Sequence, residues 1–242
     1  MDLSVIVPAY EEGNVIHKSL SNLVSMLNSL GVNYEIMVVD DGSTDNTLDE
    51  IKKIEKRCSR ISHITYPENK GKGNALKRGV EKVSGEYICF LDADSEIDLN
   101  KFKNFIDVAR DAPADIVVGT KYHKFSKNKF PLYRKFLGNG YRYFNKILFN
   151  LSISDTQTGL KLFKKKVIKD IIKITTLTGF AFDLELLVIA NKLSYSCYEL
   201  PVSVNFTNSD IGLGDIFDIA KDTLKVAIKL YFSRRYNEAT NI

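Results

Sequence analysis

Apolar runs of strand length alternate with helix-patterned stretches from the first residues onward, and this alternation constrains the chain more than any other feature. Leu3-Ser4-Val5-Ile6-Val7 reads as a first strand. Val15, Ile16, Leu20, Leu23, Val24, Leu27 and Leu30 then recur at helical spacing before Gly31. Tyr34–Val39, Ile61–Thr65 and Tyr87–Leu91 follow as strands, each separated from the last by a helical segment, and Asp115–Gly119 continues the series. Repeated β-α-β units predict an α/β fold with a mostly parallel central sheet flanked by helices. At 242 residues the chain can bury one sizeable core. It shows no internal repeat, low-complexity tract or linker, so a single domain over 1–242 is expected.

A polar cluster follows the carboxyl end of nearly every predicted strand, which is the edge where open α/β sheets bind ligands. These clusters are Pro8-Ala9-Tyr10-Glu11-Glu12, Asp40-Asp41-Gly42-Ser43-Thr44-Asp45, Asn69-Lys70-Gly71-Lys72-Gly73 and Asp92-Ala93-Asp94-Ser95-Glu96, and they are expected to converge on one crevice. In extended backbone Asp92, Asp94 and Glu96 project to one side. Three carboxylates brought together repel unless a cation lies between them, and oxygen-only donors suit Mg²⁺ or Mn²⁺. The plainer alternative is a solvated acidic turn.

Several other classes are disfavoured. Gly71-Lys72-Gly73 lacks the third glycine of a dinucleotide fingerprint, because Leu76 stands at that place. Its glycines are read instead as letting backbone N–H groups approach a phosphate, with Lys72 adding charge. Phe90-Leu91-Asp92-Ala93-Asp94 also resembles the nucleophile motif of haloacid-dehalogenase phosphatases, without their N-terminal placement or second acidic loop. His17, His63 and His123 are isolated, and the three cysteines fit no metal spacing or disulfide framework. No signal peptide is read before the first strand, and no apolar stretch reaches the ~18 residues of a membrane span. A net charge of +4 does not suggest nucleic acid.

Between Lys121 and Lys146 the chain carries many Lys and Arg residues, no acid, and an interleaved set of aromatic and aliphatic side chains. That composition fits an interfacial helix on a membrane surface, or a packed helix whose lysines reach outward. Ile216, Ala220, Thr223, Ala227 and Leu230 form a stripe beside Lys225 and Lys229, so 211–242 reads as an amphipathic helix that either covers the sheet or rests on lipid.

Taken together, these blocks in this order resemble glycosyltransferase family 2 with the GT-A fold. Gly119-Thr120-Lys121, Asp155-Thr156-Gln157-Thr158-Gly159-Leu160-Lys161-Leu162-Phe163 and Phe180–Leu187 extend the resemblance towards the dolichyl-phosphate glucose and mannose synthases, the glucose branch more closely. The resemblance implies a nucleotide-sugar-binding half over 1–120 and an acceptor half over 121–210. It implies that Pro8, Ala9, Tyr10, Glu12, Asp40, Asp41, Lys72, Gly73, Asp92, Ala93 and Asp94 bind the donor. Asp92, Asp94 and Glu96 would hold Mg²⁺ or Mn²⁺. Lys121 and Arg134 would grip the acceptor phosphate, although Gly138 stands where the family pattern has Ser. The Asn208–Gly214 stretch departs from the mannosyl type. Asp155 and Gln157 would serve the acceptor side or the structure.

The implied reaction is inverting transfer of a hexose to dolichyl or polyprenyl phosphate by a peripheral enzyme on the cytoplasmic face of a membrane. UDP-glucose is favoured as donor, with GDP-mannose next. A sugar alcohol acceptor needs a general base, whereas a phosphate monoester, with a second pKa of about 6, is already largely dianionic. Asp183 therefore discriminates: with a glycan, glycolipid or small hydroxyl acceptor it would be the base, and with a phosphate it would orient the site. A non-catalytic donor-binding subunit is a further alternative.

Overall fold

The computed structural model describes residues 2–94, 97–126, 132–179, 181–204 and 213–232, the side chains of 132–137, 213–220 and 232 excepted. Seven strands form one sheet: β1 (Asp2–Ala9), β2 (Asn33–Asp40), β3 (Ile61–Thr65), β4 (Tyr87–Phe90), β5 (Ile116–Thr120), β6 (Lys161–Lys164) and β7 (Cys197–Pro201). Their order is β3-β2-β1-β4-β6-β5-β7. β6 runs antiparallel to both neighbours, and the other pairings are parallel. The expected mostly parallel α/β architecture is therefore present, in one sheet that draws strands from both halves of the chain.

Period-2 alternation sorts β1 between two cores. Leu3, Val5, Val7 and Ala9 face α1 (Ile16–Leu30), α2 (Thr47–Glu55) and α4 (Phe102–Asp111). Ile6 faces α3 (Lys72–Lys82), α6 (Lys165–Ile174) and α7 (Phe182–Lys192). Burial on both faces is why this strand reads as an unbroken apolar run. On α1, Ile16, Leu20, Leu23 and Leu27 are buried, each contributing roughly 1.5–3 kcal/mol.

Every residue of α7 from Phe182 to Ala190 is buried. One side packs on the sheet core, and Leu184 and Val188 meet Phe149 of α5 (Leu132–Phe149) and Val226 of α8 (Leu213–Phe232). Thr223, Val226 and Ala227 are the buried side of α8, so this helix does cover the core. The expected stripe positions Ile216 and Ala220 lie outside the described side chains. Among the described residues no helix is long and apolar enough to cross a membrane.

Candidate active site

The topology delivers one strand-end edge. Because β6 runs antiparallel, the loop that precedes it (154–160) lies at the same edge as the carboxyl ends of β1, β4 and β5. A cleft of about 610 Å³ opens there. Pro8, Ala9, Tyr10, Glu12, Asp41, Lys72, Asp92, Ala93, Asp94, Gln157 and Asp183 line it, so most residues expected at the donor converge.

Three expectations need correction or qualification. β4 ends at Phe90, before the acids, so period-2 alternation is not what brings Asp92 and Asp94 to one side. Both instead sit in the loop after the strand and line the same cleft. Asp40 lies beneath the cleft, 1% exposed, where its carboxylate accepts from Ser43 N at 3.2 Å and Thr65 Oγ1 at 2.8 Å and so braces the loop. Gly73 does not present its N–H to the cleft, because that amide donates to the Thr178 carbonyl at 2.7 Å. Glu96 and the side chain of Arg134 lie outside the described residues, as does the stretch around Asn208.

The loops around the cleft hold each other. Asp41 Oδ1 accepts from Tyr66 Oη at 2.5 Å and Lys70 N at 2.9 Å, tying the ends of β2 and β3 together. Gly71 has φ 88° and stands so close to the Thr178 carbonyl that a Cβ would lie 2.5 Å from its oxygen. A side chain there would be excluded twice, by backbone conformation and by space. Glu185, buried in α7, accepts from Thr176 N, Thr176 Oγ1 and Leu177 N, and so fixes the Thr178 loop over the start of α3.

At the centre is a chain of ion pairs. Lys72 Nζ lies 2.7 Å from Asp92 Oδ1 and 3.1 Å from Asp183 Oδ2. Lys161, with no exposed surface, donates to Asp183 Oδ1 at 2.8 Å and to the Thr158 carbonyl at 2.5 Å. Burial opposes the charge on Lys72, but the carboxylates of Asp183 and Asp92 outweigh it and hold the ammonium above its usual range. Burial likewise works against ionised Asp183, and the ammonium groups of Lys161 and Lys72 reverse that and push its carboxyl below its usual value. Lys161 had no role assigned from the sequence. Its signal was a lone lysine at an inward position of Leu160-Lys161-Leu162-Phe163, which demands a buried carboxylate.

Asp155 is 3% exposed and organises the loop before β6. Its oxygens accept from Lys121 N, Gln157 N and Thr158 Oγ1 at 3.0, 3.1 and 2.5 Å. Lys121 Nζ lies 3.9 Å from it and lines a small neighbouring pocket that shares Gln157 with the cleft.

A sheet with this strand-end cleft has solved counterparts, which share the GT-A fold. Mannosyl-3-phosphoglycerate synthase from Rubrobacter xylanophilus superposes with a TM-score of 0.74 at 14% identity, over 96% of this chain and 74% of that one. Glucosyl-3-phosphoglycerate synthase from Mycobacterium tuberculosis, in a complex with Mn²⁺, UDP and glucosyl-3-phosphoglycerate, gives 0.69 at 16%, over 94% and 78%. In sequence, the Glycosyl transferase family 2 model matches residues 4–172. The dolichyl-phosphate beta-glucosyltransferase of Dictyostelium discoideum is 33% identical over 94% of this chain and 74% of its own length. That of Saccharomyces cerevisiae is 30% identical over 96% and 74%. The family model and these relatives together define a glycosyltransferase class. The chain belongs to glycosyl transferase family 2, and the phosphatase reading of Asp92-Ala93-Asp94 falls with that assignment.

Proposed function

We propose that this protein transfers glucose, with inversion, from UDP-glucose to dolichyl or another polyprenyl phosphate at the cytoplasmic face of a membrane. The relatives' names support the reaction class. The observation that carries the acceptor is the pairing of both Asp183 oxygens with buried or half-buried ammonium groups. A carboxylate so engaged is a poor proton acceptor, so the cleft suits a nucleophile that arrives already ionised.

Asp92 and Asp94 fit a divalent cation. Both line the cleft, and a cationic group, Lys72 Nζ, already sits against Asp92. Two carboxylates plus donor phosphate oxygens make an ordinary Mg²⁺ or Mn²⁺ donor set, with Glu96 a proposed third ligand. Such a cation, when bound, neutralises charge gathering on the leaving diphosphate. Lys72, anchored by Asp183, directs a second positive charge at the same group. Pro8, Ala9, Tyr10, Glu12, Asp41 and Ala93 supply the walls of the nucleotide-sugar pocket. Lys121 and Arg134 provide charge for the acceptor phosphate, whose oxygen forms the new bond to the anomeric carbon as the bond to the diphosphate breaks.

Tyr143, Phe144 and Ile147 on α5, and Leu224, Ile228 and Tyr231 on α8, are exposed, near exposed Lys146, Lys221 and Lys225. Tyr231 Oη donates to the Leu148 carbonyl at 2.7 Å and joins the two helices. An apolar face edged by lysines suits an anionic lipid surface, where the acceptor resides.

The test combines protein, Mg²⁺ or Mn²⁺, a polyprenyl phosphate, and labelled UDP-glucose or GDP-mannose in separate reactions. Label in an organic-extractable product that mild acid releases is expected with UDP-glucose. Label from GDP-mannose alone would overturn the donor assignment. No transfer from either donor, with nucleotide-sugar binding intact, would overturn the acceptor.

A further inference from the structure

A buried amide lies beside the donor cleft, on α5. Asn145 is 3% exposed, and among the described residues neither its Nδ2 nor its Oδ1 has a hydrogen-bond partner. Both groups of a buried amide are almost always satisfied in native proteins, so this pair points to a ligand. Asn145 lines a small pocket with Lys121, Tyr122, Arg142, Asp155 and Gln157. The pocket volume of about 50 Å³ exceeds the ~10–15 Å³ that one water requires and suits a group of a few heavy atoms.

The walls select for an anion. Asp155, the only carboxylate among the described lining residues, already accepts from Lys121 N, Gln157 N and Thr158 Oγ1. Two cationic side chains, Lys121 and Arg142, face that single engaged carboxylate. The Arg142 guanidinium lies 5.1 Å from the centre of the Tyr122 ring and has no carboxylate partner among the described residues. Burial, and then the Asp155 charge, push the Tyr122 hydroxyl up to about 12, so it stays a neutral group at physiological pH. Gly138 lets that hydroxyl lie against α5, since a Cβ at 138 would stand 2.4 Å from Tyr122 Oη. Gln157 lines both this pocket and the donor cleft, so an anion held here sits next to the transferable sugar.

We propose that Arg142 and Asn145 bind the phosphate monoester of the acceptor, the guanidinium by its planar pair of N–H groups and Asn145 through Nδ2. This assignment rests on the phosphate-acceptor reading above and adds to Lys121 two residues that the sequence did not single out. Arg supplies a two-pronged contact that Lys cannot reproduce. Asn145 Oδ1 then accepts from a water that the phosphate carries in.

The test uses the full chain and two probes, citronellyl phosphate and inorganic phosphate, titrated by calorimetry into wild type, Arg142→Gln, Arg142→Lys and Asn145→Ala. Acceptor KM, kcat and nucleotide-sugar affinity are measured alongside. A hydrogen bond to a charged group predicts about 10–100-fold weaker citronellyl phosphate binding and an equal rise in acceptor KM for Arg142→Gln and Asn145→Ala. Nucleotide-sugar affinity and kcat are expected to hold, and Arg142→Lys should recover only part of the loss. Binding within twofold of wild type in Arg142→Gln overturns the proposal, and that exposed position decides alone if Asn145→Ala does not fold. Inorganic phosphate bound as tightly as citronellyl phosphate would mark a free-anion pocket and overturn the acceptor assignment. If wild type binds citronellyl phosphate through Arg142 yet transfers no sugar to polyprenyl phosphate, the pocket stands and the proposed function fails.

Discussion

Gly159 stands directly against the Asp92 carboxylate: a Cβ at 159 would lie 2.1 Å from Asp92 Oδ2 and 2.3 Å from its Cγ. The acidic loop after β4 and the loop before β6 are thus one unit, although 67 residues separate these two positions in the chain. Gly159→Ala should displace Asp92 while leaving the strands paired. A shift of about 1 Å at a reacting centre can cost on the order of 100-fold in rate, and that loss is expected in kcat/KM with an unchanged circular dichroism spectrum. Near-wild-type transfer by the variant would mean that Asp92 does not position the donor.

Asp94→Ala should abolish metal-dependent transfer and leave the fold intact. Asp94 lines the cleft from the loop after β4 and belongs to none of the hydrophobic clusters. Full activity with Mg²⁺ or Mn²⁺ in this variant would remove Asp94 from the site. Chelation of wild-type protein should give the same loss, reversed when the cation is restored.

Asp183→Asn leaves Lys161 buried without its counter-charge. Removing one partner of a buried pair is expected to cost roughly 3–5 kcal/mol, read from urea unfolding at pH 7. The Lys161 and Lys72 ammonium groups prevail over burial and hold the Asp183 carboxyl below its ordinary 3.8. A carboxyl depressed in the folded state stabilises above its unfolded value and loses that contribution as pH falls through the lower folded one. The gap between wild type and Asp183→Asn should therefore be full near neutrality and narrow below about pH 4. A gap that stays constant down to pH 2 would contradict the ion pairing.

Ile228→Glu tests the exposed face of α8. Ile228 is 52% exposed, so the substitution should leave thermal stability close to wild type. Losing one large apolar contact with lipid is expected to weaken binding to anionic vesicles by about tenfold or more. Unchanged sedimentation with vesicles would place the membrane contact elsewhere.

Much of the fold was legible because α/β units carry strong local signals. The unbroken apolar run of β1 and the helical spacing of α1 follow from burial on two faces and on one. The convergence of these loops on one cleft was legible too, since strand-end loops of a parallel sheet must share an edge. The antiparallel insertion of β6 was not legible, because Leu160–Phe163 looks the same to either strand direction. The Asp40 and Gly73 placements were missed because a carboxylate or an amide in a loop shows its partner, Thr65 Oγ1 or Thr178 O, only after distant segments meet.

By itself, the sequence determined the strand–helix alternation, the order of the acidic and glycine-rich loops, and therefore the family, because these depend on local periodicity and on residue types within a few positions. Only the tertiary structure decided what the charges do. Lys161 comes from β6, Lys72 from α3 and Asp183 from α7, and their ion pairs exist because three separate elements bury them at one point. A carboxylate's proton affinity is set by such neighbours and by burial, and neither is written in local sequence.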